Sequence, residues 1–377
     1  MNMEQNLNQL IKKIKGLDQK TMAEARARQD YLAKPPGSLG QLEDISIKIA
    51  GITGKVKDND VTRKGIVVMS SDNGVVAEGV ASAPQSVTLS QTINFTRRYT
   101  GVSSMAKYFG IDLLVVDLGV AMEIPEELYT DKMLDDEGKI PVKIVYRKIS
   151  RGTKDLAKEA AMTREQAVQA IMTGVEAAKA MKDSGKTIFG VGEMGIGNTT
   201  TSSAVLGAIT GTKADKLVGR GGGLNDEGLA KKIKIVDDAI EKCEGMDIID
   251  ILANIGGYDI CAMAGAFIGA AVYRIPAVID GFISVVAACA AQELCPSVTD
   301  FLFTSHKSYE IGYNIAIDRL NLKPMFNLGM RLGEGSGCPI AFNIIETACA
   351  TMNLMKTLDE AAIDGEYLEE IRRDNLF

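Results

Sequence analysis

Short runs of apolar residues alternate along the chain with longer segments in which apolar residues recur at helical spacing. Runs of this length are typical of strands buried on both faces, and they cover residues 65–70, 113–117, 143–146, 187–191 and 276–280. The helical periodicity predicts helices at about 3–16, 19–33, 86–98, 164–183, 199–209, 225–242, 257–272 and 281–292, and one that ends near residue 52. Strands that alternate with helices predict an α/β fold whose mostly parallel sheet is covered on both sides.

Glycine-rich segments follow three of the predicted strands. They lie at residues 71–74 after the first strand, at 192–201 after the fourth, and at Gly281 after the fifth. Open sheets of this kind bind ligands at the carboxyl ends of their strands. The pattern therefore predicts one composite site that is built from several loops.

Charge and apolar content exclude several classes of partner. The 377 residues carry a net charge of −7 and no basic run that could follow a phosphate backbone, so a nucleic-acid partner is not expected. The longest apolar stretch, Ile260 to Tyr273, is shorter than the roughly 20 residues of a membrane span and predicts a buried helix. The polar first 19 residues, with Glu4, do not resemble a signal peptide.

The cysteines and the histidine argue against metal and disulfide chemistry. None of the six cysteines forms a CxxC pair, and no leader is recognised, so we expect a protein of the reducing cytoplasm without zinc or disulfides. His306 is the only histidine, which speaks against histidine-based metal sites and Ser-His-Asp triads. The sequence therefore predicts no metal site.

Two nucleotide-binding motifs match in letters but not in context. Residues 190–195 read GxGxxG, but a dinucleotide fingerprint opens the first βα unit and has an acid at a strand end about 20 residues later. Here the unit lies in mid-chain and Asp215 lies in a polar stretch. Residues 180–187 loosely fit a P-loop, yet they leave a helix and enter a strand. We interpret them as a helix end with Gly185 at its cap.

Residues 195–201 are a stronger candidate for a binding site, because they follow a strand and begin a helix. The glycines let the backbone approach a ligand, and Asn198 or Thr199 is predicted to cap a helix whose free N–H groups favour an anion. A capped turn without a ligand is the alternative that this segment leaves open. The glycine-rich segment 219–224 contains Arg220, whose guanidinium also suits an anion.

Glu334 and His306 are the remaining candidates. Glu334 lies among three glycines before an apolar helix, where it is either an exposed turn residue or a general base. Composition does not decide between the two. His306 falls at a predicted helix start, where capping or supporting roles are more common than catalysis.

Seven stretches taken together resemble one family, the nicotinate-nucleotide–dimethylbenzimidazole phosphoribosyltransferases of cobamide lower-ligand activation. They occur in the family's order and are specific as a set: residues 34–40, 74–80, 192–200, 256–265, 280–284, 305–308 and 331–337. The resemblance implies a doubly wound parallel sheet and a small helical domain built from both chain ends. We expect residues 1–55 and 340–377 to form the small domain, and 56–339 the large one with the active site. The resemblance also implies a dimer with active sites near the subunit interface.

The resemblance implies that the 5-phosphoribosyl group of nicotinate mononucleotide passes to a lower-ligand base and that nicotinate is released, with no cofactor. Glu334 corresponds to the family's general base, and Glu193 is a second catalytic candidate. Contacts to the phosphate and ribose are expected from residues of two glycine-rich segments: Gly195, Gly197, Asn198, Thr199, Thr200, Arg220 and Gly221.

Two departures from the family pattern concern the acceptor base. The chain has Asn73 where the family usually has histidine, and Tyr313 where it usually has a second histidine. The acceptor pocket is expected at Asn73, Ala83 and Gln91. Benzimidazole, purine and phenol acceptors therefore stay open, as do a homodimer and a heterodimer with a paralogous chain. The alternative function is a non-catalytic or partly active subunit of such a heterodimer.

Overall fold

A single parallel sheet organises the protein, for which a computed structural model describes residues 2–221, 223–365 and 373. Within these ranges the seven strands lie in the order β3-β4-β2-β1-β5-β6-β7. Their bounds are β1 (Lys64–Ser71), β2 (Asp112–Gly119), β3 (Tyr129–Thr130), β4 (Ile144–Tyr146), β5 (Ile188–Met194), β6 (Ala277–Ile279) and β7 (Leu302–Thr304). The chain runs from β1 to one edge and then returns to β5 beside β1. The order reverses between these two strands, which is where doubly wound sheets bind ligands.

Helices join the strands and cover the sheet. Those in the described ranges are α1 (Met3–Ile11), α2 (Gln19–Tyr31), α3 (Gln41–Thr53), α4 (Ser86–Arg97), α5 (Gly101–Tyr108), α6 (Arg164–Asp183), α7 (Asn198–Thr210), α8 (Asp226–Lys242), α9 (Ile248–Ile255), α10 (Tyr258–Tyr273), α11 (Phe282–Leu294), α12 (Tyr313–Leu320) and α13 (Cys338–Leu354). The predicted α/β class with a parallel sheet is confirmed.

The helices α6 and α10 approach each other closely because each has a glycine at the crossing. A Cβ added to Gly174 would lie 1.8 Å from the carbonyl oxygen of Ala262, and one added to Gly265 would lie 1.8 Å from that of Ile171. As predicted, the apolar α10 is a buried helix. The described part of the chain contains no helix that is long and apolar enough to span a membrane.

The N-terminal helices pack against the last long helix. Ala25 of α2, Ile47 and Ala50 of α3 and Met352 of α13 form a second, small apolar cluster. In addition, Arg28 of α2 donates to the backbone oxygen of Met352 at 3.3 Å. The division into residues 1–55 plus 340–377 and residues 56–339 stays a prediction, and 366–372 and 374–377 lie outside the described residues.

The structure corrects several predicted boundaries. Helix α1 ends at Ile11 and not near residue 16, because the chain tightens into i→i+3 turns at Lys13 and Ile14 before Gly16. Strands β3 and β7 and helices α5, α9 and α12 were not predicted. The cap at Gly185 is confirmed, since its φ of +79° places it in the left-handed region directly after α6.

Candidate active site

A cavity of about 220 Å³ opens at the carboxyl ends of β5 and β6. Its wall includes the carboxylates of Glu193 and Glu334 and the beginning of α7, at Asn198 and Thr199. The structure therefore brings both predicted carboxylates together with the predicted anion-binding turn. Gly195 also lines this cavity.

A second cavity of about 290 Å³ adjoins the first and shares Gly195, Asn198 and Thr199 with it. Its wall further includes Gly197, Gly221 and two basic side chains, Arg220 and Lys232. Gly222 lies outside the described residues. The first turn of α7 thus lies between Glu193 and Glu334, which line only the first cavity, and Arg220 and Lys232, which line only the second, while Glu310 and Arg331 line both.

Glu334 is buried and held in an uncommon backbone conformation. Only 5% of the residue is exposed, and its φ of +64° lies in the left-handed region, between Gly333 at +85° and Gly335 at +94°. Its Oε2 accepts a hydrogen bond of 3.0 Å from the backbone N–H of Val102. Burial raises the pKa of Glu334 above its ordinary value, although this hydrogen bond opposes the rise. An exposed turn residue is thereby excluded.

Glu193 is the second carboxylate of the cavity, and Asn198 connects it to Asp259. The Asn198 Nδ2 group donates to Glu193 Oε2 and, at 3.2 Å, to Asp259 Oδ2. Burial raises the pKa of Glu193 to about 8, with the charge of Asp259 adding to the rise. Burial likewise raises the pKa of Asp259 to about 6. Glu193 therefore holds a proton at neutral pH.

The helix start at α7 differs from the predicted cap. Gly197, with φ of +93°, is the N-cap residue, and among the described residues no side chain accepts a hydrogen bond from the first turn. The prediction that Asn198 or Thr199 caps α7 is therefore wrong, because Asn198 is engaged by buried acids and Thr199 by a lysine. Thr200 is fully buried behind the turn, with a side-chain oxygen that lacks a partner in the described structure.

Lys232 of α8 supplies a buried cation that sequence reasoning did not find. Its Nζ donates to Thr199 Oγ1 at 2.9 Å, directly beside the first turn of α7. Burial lowers the pKa of Lys232 to about 8, although the charge of Glu310 opposes that shift. Arg220 is instead half-exposed and donates to the carbonyl of Leu224 at 2.9 Å.

The three residues assigned to the acceptor base do not lie together. Gln91 of α4 lines the first cavity and Ala83 lines the second. Asn73 is fully buried, and its Nδ2 lies 3.5 Å from the carbonyl oxygens of Ser71 and Ile196. Their assignment to the acceptor stays a prediction.

Asp280 follows β6 and lines the first cavity. Its carboxylate accepts backbone N–H groups from Gly335 at 3.0 Å and from Gly337 at 2.7 Å. Burial raises the pKa of Asp280 to about 7, against the effect of these hydrogen bonds. Asp280 and Asp259 were not among the predicted site residues.

His306 lies two residues after the end of β7, so its predicted place at a helix start is wrong. The next helix begins only at Tyr313. The ring Nδ1 lies 3.0 Å from Ser305 Oγ, and burial lowers the pKa of His306 to about 4, which leaves the ring neutral at pH 7. His306 is one of the residues that line the first cavity.

A parallel α/β sheet with an open helix N-terminus, a buried lysine and an oriented carboxylate is suited to an enzyme that binds a phosphorylated substrate. The sequence model of the phosphoribosyltransferase family DBI_PRT matches residues 14–363. A nicotinate-nucleotide–dimethylbenzimidazole phosphoribosyltransferase of Clostridium perfringens (strain 13 / Type A) is 51% identical over 98% of this chain and 99% of its own length. The equivalent protein of Clostridium acetobutylicum is 45% identical over 95% and 98%.

Solved structures agree with these relatives. The crystal structure of CobT from Thermus thermophilus matches with a TM-score of 0.85 and 35% identity, over 92% of this chain and 99% of that one. The chain is therefore a phosphoribosyltransferase. It belongs to the nicotinate-nucleotide–dimethylbenzimidazole phosphoribosyltransferase family.

Proposed function

We propose that the protein transfers the 5-phosphoribosyl group of nicotinate mononucleotide to a lower-ligand base for cobamide synthesis and releases nicotinate. One observation carries the proposal: the first turn of α7 lies between the carboxylate of Glu334 and the ammonium group of Lys232. The phosphate of a bound nucleotide can thus contact Lys232 while its C1′ atom lies toward the Glu334 carboxylate. The names of the family's members support this choice of donor and acceptor.

The donor phosphate is assigned to the second cavity. In the first turn of α7 the N–H groups of Asn198, Thr200 and Thr201 donate to the carbonyls of Gly195 and Gly197, which leaves the N–H of Thr199 for a ligand. The helix dipole favours an anion there, and Lys232 adds a charge in a poorly solvated place. Thr199 and Gly197 lie at the same turn. Arg220 lines the same cavity from the exposed side, where its guanidinium is paired with Asp226.

Transfer breaks the bond between C1′ and the pyridinium nitrogen of the donor. The electron pair of that bond goes to the ring nitrogen, so nicotinate departs with a neutral ring and needs no metal to neutralise it. The acceptor nitrogen attacks C1′ from the opposite face and gives the α-anomer. Oriented binding of both substrates supplies much of the rate enhancement.

The attacking base must lose a proton. A benzimidazole that bonds through one nitrogen stays neutral only if the other nitrogen releases its proton. We assign the proton to Glu334, whose raised pKa makes it a stronger base than an exposed glutamate. Glu193 is protonated at neutral pH, so we assign it a supporting role beside Asn198.

We also propose a broad acceptor range that includes phenol or p-cresol. Apolar side chains, among them Val87, Met194 and Phe282, line the cavity beside Gln91. A buried polar group without a partner costs about 1–3 kcal/mol, so an apolar wall favours a ring with a single hydroxyl. The deprotonation of that hydroxyl is again assigned to Glu334.

The assembly is part of the proposal, as a homodimer or a heterodimer with a paralogous chain. In the alternative, this chain is the non-catalytic or partly active member of the heterodimer. The burial and orientation of Glu334 favour an active subunit. Light scattering of the protein alone and with any co-purifying homologue distinguishes the two assemblies.

The experiment is an acceptor screen. The protein is incubated with nicotinate mononucleotide and dimethylbenzimidazole, adenine, phenol or p-cresol, and products are identified by mass spectrometry. We expect an α-ribotide from dimethylbenzimidazole and, in competition at equal concentration, also from phenol. If phenol gives no ribotide alone or with a paralogous partner, the broad range is refuted while the transferase proposal stands.

A further inference from the structure

A second buried carboxylate holds the turn that carries Glu334, which we call the Glu334 turn (residues 333–337). Asp280 Oδ2 accepts the N–H of Gly335 at 3.0 Å, and Asp280 Oδ1 accepts the N–H of Gly337 at 2.7 Å. These are backbone groups on the carboxyl-terminal side of Glu334. We infer that Asp280 is a positioning residue that keeps the Glu334 carboxylate aligned for proton transfer, an inference that rests on the proposed function of Glu334.

The Glu334 turn needs such an anchor because its conformation is strained. A non-glycine residue in the left-handed region costs about 1–2 kcal/mol, and Glu334 has φ of +64°. Two local hydrogen bonds close the turn, from Ser336 N to Gly333 O at 2.9 Å and from Cys338 N to Gly335 O at 3.0 Å, and neither ties it to another part of the fold. The chain before the turn is exposed, with Leu328 64% and Leu332 58% accessible. The restraint therefore comes from the buried side.

The backbone of Gly337 packs tightly against Asp280, which supports a specific contact between the two residues. A Cβ on Gly337 would lie 2.4 Å from His306 Nδ1 and 2.9 Å from Asp280 Oδ1, so the backbone reaches the carboxylate only as glycine. On the other side of the turn, Glu334 N–H donates to Glu193 Oε1 at 3.3 Å. Glu193 thus accepts the N–H group of Glu334 itself, and Asp280 accepts the N–H groups of the following glycines.

The anchor uses an acceptor at each end of the carboxyl group. Both oxygens of Asp280 face the turn, and each accepts one N–H from it. In Asp280→Asn one oxygen becomes an NH₂ donor that faces a backbone N–H. One hydrogen bond is lost, and the new NH₂ group and the backbone N–H that it faces repel each other. The turn therefore shifts, although the size of the side chain is conserved.

Asp117→Asn is the matched control. Asp117 is also fully buried at the end of a strand, and its Oδ1 accepts the N–H groups of Gly119 at 2.9 Å and Val120 at 2.8 Å. Among the described residues it lines neither active-site cavity. In Asp117→Asn the amide oxygen keeps both N–H contacts, and the new NH₂ group replaces Oδ2, which accepts a hydrogen bond from the Tyr129 hydroxyl and lies 3.3 Å from Lys148 Nζ. The two variants therefore each replace a buried carboxylate by an amide, one beside Glu334 and one away from it.

The test combines steady-state kinetics with hydrogen–deuterium exchange read by mass spectrometry. For Asp280→Asn we expect kcat to fall about tenfold or more, since small misplacements of catalytic groups cost rates of this order, and KM for nicotinate mononucleotide to change less than about twofold. Exchange should accelerate in the peptide that contains residues 333–338 and not in β1 or β5. For Asp117→Asn we expect unchanged exchange in residues 333–338 and kcat within about twofold of wild type.

Gly337→Ala provides a second variant that retains Asp280 and separates the turn from it, should Asp280→Asn fail to fold. We expect the same fall in kcat and the same local exchange. Unchanged kcat or unchanged exchange in residues 333–338 for the folded variants would overturn the inference. A wild-type protein that does not use nicotinate mononucleotide would instead overturn the proposed function, and the exchange data would still test the Asp280 contact.

Discussion

The backbone N–H of Val102 donates a hydrogen bond of 3.0 Å to the Oε2 atom of Glu334. Val102 lies in the first turn of α5, so the positive end of that helix stabilises the charged carboxylate, whereas burial disfavours it. Burial has the larger effect, and the pKa of Glu334 is raised. The side chain is therefore both oriented and more basic than an exposed glutamate.

Replacing Glu334 with glutamine removes the base and retains the shape. We expect Glu334→Gln to lower kcat by about 10²-fold or more, with KM for nicotinate mononucleotide little changed, because a positioned base contributes about this much. Steady-state kinetics and thermal unfolding measure the two effects. Glu346→Gln, in the middle of α13 and outside both cavities, is the control. Near-wild-type turnover would show that the proton goes to a group other than Glu334.

Lys232 should make donor affinity depend on pH. Its ammonium group is charged below its pKa of about 8 and neutral above, so nicotinate mononucleotide should bind more weakly as the pH rises past 8. Loss of a charged hydrogen bond costs about 1.5–3 kcal/mol, so Lys232→Met should raise Kd roughly 10- to 100-fold at pH 7.

Calorimetric titration at pH 7 and pH 9 provides this measurement. Lys231→Met is the matched control, because the neighbouring Lys231 is half-exposed and pairs with Glu78 at 3.0 Å. Its Kd should stay within about twofold of wild type, as expected for a surface ion pair. Equal losses in the two variants would contradict the assignment of the phosphate to the second cavity.

Glu193 should make the folded state less stable as the pH rises. Its pKa of about 8 in the folded protein exceeds the ordinary 4.5, so the folded state binds more protons than the unfolded state between those values. The free energy of unfolding therefore falls as pH rises from about 4.5 to about 8. Glu193→Gln removes this titration and should be more stable than wild type at pH 8 by about 1–3 kcal/mol.

Urea unfolding at pH 5, 6.5 and 8 measures that difference. Asp259 and Asp280, with pKa values of about 6 and about 7, keep part of the trend in both proteins. The exposed Glu137→Gln should unfold as wild type does at every pH. Parallel pH dependences for wild type and Glu193→Gln would show that Glu193 is ionised in the folded state.

The parts of the fold that the sequence predicts are those with strong local patterns. The apolar runs of β1 and β5 and the periodicity of α6 mark their positions without reference to distant residues. Strands β3 and β7 have two and three residues, too few for a pattern, and only their pairing with β4 and β6 defines them. The missed β7 also explains the misplacement of His306, which lies two residues after the end of that strand.

The site was predictable where its residues belong to glycine motifs. Glu334 and the α7 turn lie in such segments, whereas Lys232 lies within an ordinary amphipathic helix. Asn198 pairs with Asp259, which lies 61 positions away in the sequence. The local sequence around Asn198 therefore does not show that its side chain binds a buried acid and does not cap the helix. Asp280 belongs to residues 280–284, one of the seven stretches that resemble the family. Its two contacts with the Glu334 turn, however, depend on the packing of β6 against that turn.

The most direct test of the proposed transfer is the stoichiometry of the reaction in the presence of a chelator. The protein is incubated with nicotinate mononucleotide, dimethylbenzimidazole and excess EDTA, and nicotinate and α-ribotide are quantified together by liquid chromatography and mass spectrometry. We expect the two products in equal amounts, and we expect Glu334→Gln to form both at least about 10²-fold more slowly. Turnover that occurs only with phosphoribosyl pyrophosphate and magnesium, and not with nicotinate mononucleotide, would contradict the proposed transfer.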